Sequence, residues 1–119
     1  MKWIKLNSAE QLRALQEESA KQPVVIFKHS TSCSISRMVL DRLERNWRDE
    51  DVNGAKPYFL DLLSYRDISN QIADAFDVKH ESPQILIVHE GKAVFNTSHY
   101  DIDFGRVKNA LKESLTAKN

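Results

Sequence analysis

The chain has 119 residues, 41% of them hydrophobic, with 17 Lys and Arg balanced by 17 Asp and Glu. That length and apolar content fit a single folded domain over 1–119 and exclude a disordered chain. Zero formal charge gives no electrostatic case for a nucleic-acid or membrane partner. One cysteine rules out an internal disulfide. No apolar run approaches the ~20 residues of a membrane helix, and the N-terminus has no long apolar segment. The expected address is a reducing cytoplasm.

In chain order, Trp3 to Leu6 alternates and reads as a short first strand. Ser8 and Gln11 have the spacing of a capping box, opening a helix with Leu12 and Leu15 on one face. Pro23 stops that helix near Lys21. Val24 to Lys28 is a buried strand. Ile35, Met38, Val39, Arg42, Leu43 and Trp47 then recur at helical spacing, to about Arg48. Asp49 to Asn53 is polar, and Gly54 marks a turn. Pro57 to Leu63 reads as a third strand, with Pro at its first residue. Tyr65 to Phe76 is a helix whose apolar face carries Ile68, Ile72, Ala73, Ala75 and Phe76. Gln84 to His89 and Lys92 to Thr97 form a hairpin across Glu90-Gly91. Asp101 or Asp103 caps a last helix with Phe104, Val107, Leu111 and Leu115 inward. The order β-α-β-α-β-α-β-β-α makes an α/β fold, a mixed central sheet flanked by helices.

Cys33 follows the second strand and stands at the start of the next helix, in the run Ser30-Thr31-Ser32-Cys33-Ser34-Ile35-Ser36-Arg37. Helix N-termini carry unpaired N–H groups and the positive end of the macrodipole, and both favour a thiolate. A lone cysteine is most often a small buried hydrophobe. This one lies among hydroxyl residues, with Lys28, His29 and Arg37 nearby in sequence, so the reactive reading leads. Strand-end residues such as Lys28 and His29 are usually solvated, and their part in catalysis is given little weight. Asp61 is either a buried proton acceptor or, preferably, a strand-end residue facing water, since buried carboxylates are costly. The four histidines lack metal-ligand spacing, so no metal is expected. His80 is taken as a surface residue. Trp3 and Trp47 are taken as packing residues.

The element order with a cysteine after the second strand resembles the thioredoxin-like fold. Asp77-Val78-Lys79-His80-Glu81-Ser82-Pro83-Gln84 resembles the segment in which that fold carries a cis-proline before its fourth strand. The resemblance implies a cis Ser82–Pro83 bond, Pro83 against Cys33, and a Ser82 backbone able to pair with an extended substrate. Thr31-Ser32-Cys33-Ser34-Ile35-Ser36 together with Ser82-Pro83-Gln84 looks like the monothiol bacilliredoxin family, the YtxJ-like proteins. Ser34 stands where that family usually has proline, and Ser36 where a dithiol enzyme has its resolving cysteine. The resemblance implies that Cys33 removes bacillithiol from S-thiolated cytosolic proteins. Ser36 would support the thiolate, and Ser32, Ser34, Ser82 and Pro83 would surround the substrate. Bacillithiol is then a co-substrate, and no cofactor is needed.

Three other readings stay open. Cys33-Ser34-Ile35-Ser36-Arg37 resembles the motif of glutaredoxin-type arsenate reductases, although there the cysteine follows the first strand. Iron–sulfur binding monothiol glutaredoxins share the Cys/Ser spacing but have a Gly-Phe core that is missing here. A non-catalytic thioredoxin-like interaction module is the reading from a different class.

Overall fold

The computed structural model describes residues 2–52 and 54–116, with the side chains at 115 and 116 excepted, so the inward placement expected for Leu115 lies outside the described residues. The strands are β1 (Ile4–Lys5), β2 (Val24–His29), β3 (Lys56–Asp61), β4 (Gln84–His89) and β5 (Lys92–Ser98). The helices are α1 (Ala9–Glu18), α2 (Ser34–Asn46), α3 (Arg66–Phe76) and α4 (Phe104–Thr116). Sheet order is β1-β3-β2-β4-β5. β1 and β2 run parallel to β3, while β4 runs antiparallel to β2 and β5.

β2 is buried along its whole length because helices cover both faces of the sheet. Side-chain alternation divides its residues. Val24 and Ile26 join Leu12 and Leu15 of α1 and Ile68, Ile72 and Phe76 of α3 in one core layer. Val25 and Phe27 join Val39 and Leu43 of α2 and Val107 and Leu111 of α4 in the other. Fully burying one such side chain is worth roughly 1.5–3 kcal/mol, so the two layers fix β2 and the loop that follows it.

Several boundaries differ from expectation. β1 is a two-residue edge strand that pairs with β3 through Ile4–Tyr58 and Lys5–Phe59. β3 ends at Asp61, where Tyr65 N–H donates back to the Asp61 carbonyl at 3.0 Å and turns the chain. Ala75, placed on the apolar face of α3, is exposed. Asp103 is the cap of α4, its Oδ1 accepting from Arg106 N–H at 3.1 Å. Trp3 packs on Phe27, Trp47 and Phe59 with ring centroids 5.8–5.9 Å apart. Among the described residues no helix is long and apolar enough to cross a membrane.

Candidate active site

The end of β2 delivers Ser30 into a short turn, closed by Cys33 N–H donating to the Ser30 carbonyl at 3.2 Å. Cys33 is the residue that begins α2, with extended backbone (φ −108°, ψ 118°), and its carbonyl accepts from Arg37 N–H at 3.2 Å. The side chain makes no capping hydrogen bond and is half-buried. The sulfur therefore stands at the positive end of a 13-residue helix and is reachable from solvent. Thr31, Ser32, Cys33, Ser34, Arg37, Met38, Asp41 and Arg45 line a groove of about 490 Å³. That volume suits a small-molecule ligand.

Ser36 is fully buried. Its Oγ accepts from Ser30 N–H at 3.1 Å and lies 2.7 Å from His29 Nδ1. Among the described residues its hydroxyl makes no hydrogen bond to Cys33. If the hydroxyl proton goes to His29 Nδ1, none is left to donate to a thiolate. Ser36 thus ties the cysteine turn to the end of β2.

Lys28 and His29 are buried, contrary to the solvated strand-end expectation, with Lys28 at 0% and His29 at 6% exposure. Lys28 Nζ donates to the Ser69 carbonyl at 3.3 Å and lies 3.4 Å from His80 Nδ1. A lysine ammonium only donates, so His80 Nδ1 is the acceptor and the ring carries its proton on Nε2. His80, expected to be an unattached surface residue, is exposed yet held by Lys28 and by Ser69 Oγ at 3.3 Å. Desolvation by burial lowers the Lys28 pKa to about 8. Burial also lowers the His29 pKa, opposed by the charge of Asp61. His80 is lowered by desolvation and then by the Lys28 charge. Asp61 is half-buried at the strand end: Ser64 Oγ donates to its Oδ2 at 3.0 Å, while Oδ1 is buried with no hydrogen-bond partner among the described residues.

The Ser82–Pro83 bond is cis. Lys28 pairs with Gln84 across β2 and β4, so this bond enters the sheet at the end from which the Cys33 turn leaves. Gln84 fixes the approach: its Nε2 donates to the Lys79 carbonyl at 3.0 Å, and its Oε1 accepts from Glu81 N–H at 3.4 Å. Ser82 N–H and C=O enter no backbone hydrogen bond among the described residues. The fold therefore groups Ser32, Cys33 and Ser34 on one groove and puts Ser36 beneath it. Ser82 and Pro83 lie at the same sheet end without lining that groove. Sequence reasoning passed over Met38, Asp41 and Arg45 as groove residues. The signal was present in the spacing, since 37, 41 and 45 share a helix face that begins at Cys33.

A mixed sheet entered by a cis-proline at the end where a helix starts on the chain's single cysteine defines a thioredoxin-fold protein with one thiol. Comparison with known proteins narrows this. The family described as monothiol bacilliredoxin BrxC matches residues 4–107, and the chain belongs to that family. A solved structure described as a proposed oxidoreductase with a thioredoxin fold is 34% identical, with 90% of this chain and 91% of that one covered and a TM-score of 0.77. The thioredoxin of Malassezia sympodialis is similar in fold at 14% identity, covering 94% and 90% of the two chains with a TM-score of 0.73. That of Trypanosoma brucei brucei is similar at 15% identity, covering 97% and 92% with a TM-score of 0.74. Family and fold together make this a monothiol thiol oxidoreductase.

Proposed function

We propose that the protein removes bacillithiol from S-thiolated cytosolic proteins by monothiol exchange. Cys33 thiolate attacks the bacillithiol sulfur of a client mixed disulfide. A new disulfide forms between Cys33 and bacillithiol as the client S–S bond breaks, and the client sulfur leaves with the electron pair and takes up a proton. A second bacillithiol thiolate then attacks the adduct, releasing bacillithiol disulfide and restoring Cys33. The carrying observation is the lone, half-exposed Cys33 at the head of α2 on a groove of small-molecule size. Ser36, where a resolving sulfur would stand, is buried and engaged elsewhere. The unpaired Ser82 backbone suits an extended client segment that adds to the sheet end.

Intact-mass spectrometry of reduced protein mixed with a bacillithiolated client tests this, with a glutathionylated client in parallel. The expected product is a bacillithiol adduct on Cys33 matched by loss from the client, absent in Cys33→Ser. Transfer from the glutathionylated client alone would reassign the co-substrate. No transfer from either client by the folded protein would overturn the reading.

A further inference from the structure

The groove beside Cys33 carries charges that thiol exchange itself does not require. Arg37, Asp41 and Arg45 are exposed, follow one another at four-residue spacing and line the same groove as the thiol. Among the described residues none of the three forms an ion pair. The neighbouring Arg42 behaves differently, since its guanidinium donates to the Tyr100 carbonyl at 2.9 Å and to the Ile102 carbonyl. Met38 lies between the charges, 49% exposed, as an apolar floor.

We propose that Arg37, Asp41 and Arg45 are the specificity residues for the small thiol, selecting one with two carboxylates and an amine. This deepens the function proposed above and rests on it. Arg37 stands one turn beyond Cys33, about 6 Å along the axis, and Arg45 about 18 Å. Helical side chains lean toward the N-terminus, which brings the Arg45 guanidinium several ångströms back toward the sulfur. The cations bracket Asp41, giving a plus–minus–plus row along the groove. A zwitterionic dicarboxylate thiol disulfide-bonded to Cys33 brings carboxylates for the guanidiniums and an amine for Asp41. Bacillithiol and glutathione both have this chemistry, whereas cysteamine and 2-mercaptoethanol lack the carboxylates.

The test uses one client peptide loaded in turn with bacillithiol, glutathione, cysteamine and 2-mercaptoethanol, so the client part stays constant. Transfer onto Cys33 is followed for the wild type, Arg37→Gln, Arg45→Gln and Arg13→Gln, an exposed α1 control that removes the same charge elsewhere. Each groove variant is expected to raise the half-saturating concentration of the dicarboxylate donors roughly fivefold, the size of an exposed charge pair. The 2-mercaptoethanol donor should shift by less than about twofold. Equal losses for every donor, or the same loss in Arg13→Gln, would overturn the proposal. Binding of S-methyl bacillithiol and S-methyl glutathione to Cys33→Ser separates the two ideas. Arginine-dependent binding without transfer would sustain the specificity residues and remove the exchange reaction. Transfer that is indifferent to both arginines would do the reverse.

Discussion

Lys28 and Ser36 flank the cysteine turn, eight residues apart, with different energetic consequences. Ser36→Ala leaves Ser30 N–H and His29 Nδ1 without their shared partner in a buried place. The expected loss is about 1–3 kcal/mol, the cost of stranding buried polar groups, together with slower thiol transfer because the turn holding Cys33 is loosened. Urea unfolding and adduct formation measured on the same variant check both parts; unchanged stability would show that the Ser36 bonds do not hold the turn. Lys28 is an ammonium buried with a carbonyl and an imidazole for partners. Its folded pKa of about 8 lies below the ordinary 10.5, a difference of roughly 3 kcal/mol. Below pH 8 both states are charged and folding bears that whole cost. Lys28→Met should therefore stabilise the protein at pH 7 by roughly 1–3 kcal/mol, the weak bonds it loses offsetting part of the gain. A less stable variant at pH 7 would mean that the charged lysine is net favourable.

At the scale of elements, most of the fold was legible because its signals are local. Pro23, Gly54 and Glu90-Gly91 punctuate the chain, and apolar periodicity marks what lies between. The α1 start shows where local reasoning stops. Gln11 N–H donates to the capping Ser8 Oγ at 3.2 Å as expected, but the Gln11 side chain also accepts from Asn7 N–H at 2.8 Å and donates to the Lys5 carbonyl at 2.8 Å, joining the helix to β1. Ser8→Ala should cost about 1 kcal/mol in urea unfolding and leave thiol transfer unchanged, since α1 packs on the other face of the sheet from α2. A change in transfer would place the cap in the active-site machinery. The candidate site was legible at Cys33 and at the cis Ser82–Pro83 bond. The burial of Lys28 and His29 was not, because it depends on α3, the segment carrying His80 and the start of α2, all distant in sequence. Periodicity identified α2 as a helix but could not tell that Met38 faces a groove and Val39 the core.

Across the whole molecule, the perturbed groups set how stability follows pH. His29 and His80 are both held below their ordinary 6.5 by burial. As pH falls through 6.5 the unfolded chain takes up these protons first, so stability is lost on the acid side. Protonating His80 also sets a second cation 3.4 Å from Lys28 Nζ. Lys28 has the same sign in a higher window: between pH 8 and 10.5 the unfolded state binds the extra proton, and stability rises with pH. Tyr58 opposes them. Burial, then the charge of Glu18, raises its pKa above 10, so the unfolded state loses that proton first and stability falls above pH 10. The sum is a rise below neutrality, a second rise above pH 8 and a maximum near pH 9–10, more alkaline than the usual range of about pH 5–8. Urea midpoints at pH 5.5, 7 and 9.5 should therefore increase in that order. Lys28→Met should abolish the upper rise and keep the lower one, weakened by the repulsion it removes from His80. A flat wild-type profile between pH 7 and 9.5 would show that the buried lysine keeps its ordinary proton affinity; an upper rise surviving in Lys28→Met would assign it to another group.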